Sequence, residues 1–379
     1  MNNTTLVPSH ILLRYTSRTA ILEEFAPSGQ LVERIVTPFW YIIGFIGNPI
    51  SAVIWLGQRM RRNNSSAIYL GALSISDLLF LFLHFLQTLH FAWGFDVYNA
   101  HIICEIFYFL YYIPQYLSTF LVLGFTVERY VAVCHPFLKE KLCTVKRAIM
   151  VVICLTLFST GLASAQIYFW TFSASEGTCN IRSEATTEGS TSFWSIWTWI
   201  TDIFAFVIVP LIVLIFNILV LREIFKISKN DLMQRQQCRS GNNTASTVTL
   251  LAVSFYLVIT QISATVVVCL QPIFPNGNMF MDDDDIRSDK TWSHLFTYLD
   301  VRKVIEVICL SHYACYFCVY CVTGKHFRKE VVFLVTLQGR LRLLASVVCR
   351  KRRTERYSMV STNGVPMSET FTTAFSTAI

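Results

Sequence analysis

The sequence predicts an all-α membrane protein: a seven-transmembrane helix bundle, N-terminus outside, with a short membrane-parallel helix after helix seven. Three observations predict it. Of 379 residues, 54% are hydrophobic and only 15% are charged, against about 25% charged in an average soluble domain. Seven apolar stretches reach the roughly 20 residues that a bilayer core demands of a helix. Lysine and arginine are shared unevenly between the segments that join them. The apolar residues are too many for a disordered chain, and the basic residues too dispersed for a nucleic-acid binder.

The seven stretches are Val36–Leu56, Ile68–Ala92, Ile103–Val133, Ala148–Phe169, Phe193–Leu221, Val248–Leu270 and Leu295–Val322. In lipid every backbone polar group must be satisfied internally, so each reads as a helix. No fixed-period repeat relates them, which argues against a duplicated transporter. With the N-terminus outside, the outer segments hold Arg14, Arg18, Arg34, Arg182, Arg287, Lys290, Arg302 and Lys303. All the others of the 31 lysines and arginines then fall inside, as the positive-inside rule requires. Residues 1–30 lack the apolar core of a cleavable signal, so helix one is expected to act as the signal anchor. The resulting divisions are a tail over 1–35, the bundle over 36–323, the membrane-parallel helix over 324–338 and a cytoplasmic regulatory tail over 339–379.

The acids show the reverse bias, and Asp282–Asp285 form a run in an outer loop. The run reads either as a solvated surface or as an attractor of a cationic ligand. Most of the 12 cysteines sit in helices or on the reducing side, where thiols persist. Cys104, at the outer start of helix three, and Cys179, in the outer loop after helix four, are placed to meet an oxidising space and pair. Asn2 and Asn3 stand in N-N-T and N-T-T on the same side and are candidate glycosylation sites; Asn63, Asn64 and Asn242 have the pattern but lie inside.

No catalytic constellation, Gly-rich phosphate loop or zinc spacing occurs, so the chain does not read as an enzyme and no cofactor is expected. Cys315, Cys318 and Cys321 repeat at i+3 within an apolar helix and read as a packing face rather than a metal site. Charges at membrane depth carry more information, because they are costly there. Asp77 lies mid-helix in LSISDLLFL, and Arg129 at the inner end of helix three in VERYVAVCHPF.

These two, with Gly47-Asn48, Leu73-Ser74-Ile75-Ser76-Asp77-Leu78, Trp93-Gly94, Cys104, Glu128-Arg129-Tyr130, Pro210, Asn217 and the ending Tyr320 to Arg328, resemble a rhodopsin-like G-protein-coupled receptor. The match runs from Val36 to about Arg328. The run ERYVAVCHPF…CTVKRA is most similar to invertebrate neuropeptide receptors of the FMRFamide-receptor kind. The resemblance implies G-protein coupling through Glu128, Arg129, Tyr130 and Tyr320. It implies a sodium and water site at Asp77, Ser118 and Tyr316, with a sodium ion as a possible occupant. Some family positions differ. Tyr316-Phe317 replace the usual Asn-Pro of helix seven, Leu157 stands near the usual Trp of helix four, and Val258–Ser263 lack the Trp-x-Pro of helix six. Near Asn242–Ala245 no acid is available to lock Arg129, and Glu128 is an i,i+1 neighbour that does not face it.

An amine receptor of this family carries an Asp where Tyr111 stands, and an opsin carries a Lys at or within a turn of Glu306. Neither ligand is therefore expected. Asp202, eight residues before Pro210, and Glu306, fourteen before Tyr320, lie about 12 and about 21 Å outward at 1.5 Å per residue. With Gln87, Tyr111 and Gln115 they form the candidate ligand site; Tyr112, His90, Trp197 and Trp199 are further candidates. Two acids favour a ligand with a positive group, such as an Arg-containing peptide; the other readings are an interfacial, water-facing Asp202 and a salt bridge of Glu306 to Arg302 or Lys303. The expected function is activation of a heterotrimeric G protein by a neuropeptide. The alternatives are a seven-helix chemoreceptor for small molecules and, less favoured, a channel or transporter, which would need a continuous polar stripe.

The tail carries three further expectations. Cys349 before Arg350-Lys351-Arg352-Arg353 suits palmitoylation beside a basic patch. The Ser/Thr-rich end suits receptor kinases and arrestin. Ser376-Thr377-Ala378-Ile379 resembles a PDZ-protein ligand.

Overall fold

The computed structural model describes residues 10–15, 18–62, 64–174, 177–187, 189–233 and 241–336. Asn2, Asn3, Cys349 and the tail motifs lie outside them. The chain divides into two compact units, residues 1–327 and 328–379.

Seven helices of the first unit are long and apolar enough to cross a membrane. Helix one is Pro27–Leu56, helix two Ser66–Phe91, helix three Ile103–Cys134 and helix four Val145–Ala163. Helix five runs Phe193–Ile203, continues through Phe204–Ile208 and ends in Val209–Met233. Helix six is Gly241–Cys269 and helix seven Lys290–Thr323. The boundary placed at residue 35/36 falls inside helix one, which starts nine residues earlier. Pro27 occupies its first turn, where the missing N–H has no intrahelical partner to lose. A further helix, Lys325–Val335, spans the boundary between the units.

Helix one packs closely on helix seven. Asn48 Nδ2 donates to Tyr313 O at 2.9 Å and Trp40 Nε1 to Val307 O at 3.0 Å. A methyl group at Gly47 would lie 2.7 Å from Phe317 Cβ, so glycine permits the approach. Lacking a proline, helix seven continues unbroken to Thr323, and Phe317 fills this contact instead.

Two segments were not legible as apolar spans. Trp170–Ser173 (β1) and Thr178–Ile181 (β2) form an antiparallel hairpin between helices four and five, pairing Phe172 with Cys179. Gly177 turns it at φ 65°, a conformation only glycine takes without strain. The other is a cap. Helices Ile11–Arg14 and Arg18–Phe25 pack against Asp283–Ser288 and the start of helix seven. They bury Ile11, Ile21, Ile286, Trp292 and Phe296 together.

Candidate ligand-binding site

A cavity of about 890 Å³ opens between helices two, three, five, six and seven. Gln87, Tyr111, Gln115, Asp202 and Glu306, the five residues singled out from the sequence, all line it. So do Tyr112 and Trp199, but His90 and Trp197 do not; Trp194 lines it instead. Trp197 packs on Phe193 and His90 on Tyr98. Phe80 and Tyr111 line the cavity and are backed by Tyr98, Phe107 and Tyr108 in one aromatic wall, with Tyr108 stacked on Trp170 of the hairpin at 3.5 Å. The wall is anchored by the Cys104–Cys179 disulfide, whose Cα atoms are 5.7 Å apart, and by Cys179 N donating to Asn99 Oδ1 at 3.0 Å.

The charges of the cavity are not all available. Arg302 Nε donates to Glu306 Oε1 at 2.7 Å, and Arg302 also reaches Gln271. Lys303 Nζ lies 3.1 Å from Glu33 Oε2. Of the two readings of Glu306, the contact fits the salt bridge: on one turn of helix seven, i,i+4 spacing gives it a partner of its own. Asp202 differs. Its Oδ1 is buried without a hydrogen-bond partner among the described residues, as are Gln115 Oε1 and Thr198 Oγ1. Such atoms are costly to leave unmade.

Asp202 also precedes a local distortion. Pro210 has no N–H for the carbonyl of Phe206, four residues back, and its ring would clash there in an α-helix. The helix widens to a π turn over Phe204–Ile208, and Thr265 Oγ1 of helix six donates to the Phe206 carbonyl at 3.3 Å. Helices five and six are thus joined one turn from Asp202. A second joint, Asn217 Nδ2 to Ser254 Oγ at 2.8 Å, lies further along.

The acidic loop is engaged by the cap. Asp283 accepts from Arg14 NH2 at 3.0 Å and Tyr15 Oη at 3.1 Å, and Arg287 pairs with Glu24. Burial, then the bond to Asp283, pushes the Tyr15 phenol above its ordinary pKa.

Deeper in the bundle, Ser118 Oγ donates to Asp77 Oδ1 at 2.7 Å. Asp77 Oδ2, Asn48 Oδ1 and the hydroxyls of Tyr316 and Tyr320 are buried without partners among the described residues. At the opposite end from the cap, one hydroxyl joins Glu128 and Arg129. Ser66 Oγ accepts from Arg129 NH2 at 3.1 Å and donates to Glu128 Oε1 at 3.2 Å, while Ser65 Oγ donates to the same oxygen at 2.5 Å. The i,i+1 neighbours that do not face each other are bridged through helix two, a link no sequence motif announced. Tyr130 packs on Phe216 and His135.

Known proteins place this arrangement. The chain is 31% identical over 119 residues to G-protein coupled receptor 183 of Homo sapiens, covering 30% of the chain and 33% of that protein. It is 28% identical over 134 residues to the thyrotropin-releasing hormone receptor of Gallus gallus, 34% of the chain and 32% of the relative. To cephalotocin receptor 1 of Octopus vulgaris it is 27% identical over 156 residues, 41% and 39%. The matched stretch thus spans a third or somewhat more of these relatives. All three are receptors rather than enzymes. The family described as 7 transmembrane receptor (rhodopsin family) matches residues 48–323, and with seven helices long and apolar enough to cross a membrane, the chain is a multi-pass membrane protein belonging to the rhodopsin-like receptor family.

Proposed function

We propose that the protein is a G-protein-coupled receptor of the plasma membrane whose N-terminus lies outside. It binds an extracellular peptide carrying one cationic group and activates a heterotrimeric G protein. The observation that carries this reading is Asp202: a carboxylate oxygen buried without a partner among the described residues, in a large, aromatic-walled cavity. A guanidinium or ammonium supplies the missing donors, and in partly desolvated surroundings such bonds are stronger than neutral ones. Relatives named for a hormone and for cephalotocin support a signalling ligand; the ERYVAVCHPF run supports the FMRFamide-receptor kind.

A ligand acts by binding one arrangement of the helices better than another. Asp202 sits beside the π turn whose carbonyl is held by Thr265, so a cation drawn to Asp202 bears on the joint between helices five and six. Glu128, Arg129, Tyr130 and Tyr320 stand toward the other end, where the G protein would dock. Asp77, Ser118 and Asn48 offer carboxylate, hydroxyl and amide oxygens, the donor set of a hard cation, so a sodium ion at Asp77 fits this reading. Arrestin, receptor kinases and a PDZ protein would engage the tail.

A second reading, a chemoreceptor for small molecules, draws on the cavity's size, which lies within the roughly 300–1,000 Å³ of small-ligand sites. One experiment separates them. Cells expressing the receptor are challenged with amidated Arg-containing peptides and with a small-molecule library, reading nucleotide exchange on the G protein. A response to a peptide that weakens in Asp202→Asn supports the first reading. A response confined to uncharged small molecules overturns it.

A further inference from the structure

Apart from the cavity, a groove of about 550 Å³ lies between the cap, the lead-in to helix one and the flank of helix seven. Val301, Val304 and Ile305 give it an apolar side; Glu24, Arg287 and Asp300 give it charge. Its depth follows from helix geometry. From Thr323, the last residue of helix seven, about 20 residues at 1.5 Å each cross a 30 Å hydrocarbon core. That count ends near Val304, so the groove straddles the edge of the hydrocarbon on the side of the cap. Below it the apolar surface continues. Ile308 is 55% exposed on the helix-seven face of Val301 and Val304, and Leu31 and Ile35 are 59% and 53% exposed on the helix-one face of Ser28, as the 3–4 residue period dictates.

The charged groups are spoken for on one side only. Glu24 Oε1 accepts from Arg287, and Asp300 Oδ1 accepts from Gly29 N at 2.7 Å. Each carboxylate keeps a second oxygen, and the guanidinium keeps further N–H donors. Two carboxylates and one guanidinium above an apolar strip match a head group with a phosphate and a hydrogen-bonding ammonium. The ammonium has three N–H donors, for which Asp300, Glu24 and the hydroxyls of Ser28 and Thr297 supply acceptors at the same groove. A quaternary ammonium has no N–H to donate. A phosphoglycerol head has no cation and would set its phosphate against two carboxylates.

We propose that this groove binds a phosphoethanolamine lipid from the leaflet on the cap side, with Arg287 on its phosphate, Asp300 and Glu24 on its ammonium, and its acyl chains along Val304, Ile305 and Ile308. The site joins the N-terminal cap to helix seven outside the ligand cavity.

The test uses the full-length receptor in nanodiscs of equal parts phosphatidylethanolamine, phosphatidylcholine and phosphatidylglycerol, released for native mass spectrometry. Phosphatidylethanolamine is expected to be retained over the others. Asp300→Asn keeps the acceptor for Gly29 N but removes the charge, and is expected to erase the preference by on the order of tenfold, the size of one charge-assisted bond. Thr297→Trp fills the groove and is expected to expel the lipid. Unaltered thermal unfolding of both variants in lipid-free detergent shows that they fold; Glu24→Gln, which removes the charge of the other carboxylate at the groove, replaces either that does not. Equal retention of the three lipids, or a preference that survives in either folded variant, overturns the proposal.

Discussion

Arg302 and Glu306 are joined by a 2.7 Å hydrogen bond along one face of helix seven, and this contact decides which acid of the cavity is open to a ligand. Asp202 is therefore expected to outweigh Glu306. Replacing Asp202 with Asn should weaken peptide potency by about 1–3 kcal/mol, the worth of a charged hydrogen bond. Glu306→Gln acts indirectly by releasing Arg302, so the pair Arg302→Gln with Glu306→Gln should recover part of the loss of Glu306→Gln alone. Concentration–response curves for the four receptors decide it. Unchanged potency in Asp202→Asn means that the carboxylate meets no cation.

Ser66 bridges Glu128 and Arg129. Its removal should loosen the inner end of helix three from helix two without touching the cavity. Ser66→Ala is expected to raise ligand-free nucleotide exchange while ligand affinity stays the same. Arg129→Ala should bind ligand and fail in exchange. Wild-type signalling from Arg129→Ala would remove that residue from coupling.

Cys104 and Cys179 close a loop with a sequence separation of 75. Loop-closure entropy for a link of that length is worth about 4 kcal/mol. Either Cys→Ala variant should lower the unfolding temperature and detach the hairpin that carries Trp170, with loss of ligand response. Intact binding in both single variants argues against any role for the link in shaping the cavity.

Asp283 holds Arg14 and Tyr15. These contacts are partly exposed, so each is worth no more than about 1 kcal/mol. A double-mutant cycle with Arg14→Gln and Asp283→Asn should show positive coupling in thermal unfolding that shrinks in high salt. Purely additive effects would mean that the cap is held by its apolar core alone.

Orientation has its own test. Enzymatic deglycosylation should shift the receptor's mass, and Asn2→Gln with Asn3→Gln together should abolish the shift. A shift that persists in the double variant points to glycosylation elsewhere and counts against an outer N-terminus.

What was legible in the sequence had short-range or compositional causes. Seven apolar runs gave seven helices, and the charge at Asp202 could be placed by counting from Pro210. What stayed hidden depends on distant residues meeting. Arg14 and Asp283 are 269 positions apart, and no local pattern couples them. Residues 18–25 mix charge and apolar groups too evenly to read as a helix, yet they fold against helix seven because Ile21 and Phe25 find Phe296 there. Glu306 lies at the other extreme: its partner is four residues away, and the sequence offered a salt bridge to Arg302 or Lys303 beside a ligand contact.

Helix seven is 34 residues long, about 51 Å at its ordinary rise, and no proline interrupts it. A rod of this kind cannot take up motion by bending at one point. Helix one is fastened to it at four levels, Gly29 to Asp300, Trp40 to Val307, Asn48 to Tyr313 and Gly47 against Phe317, so the two helices form a splint from the cap to the inner half of the bundle.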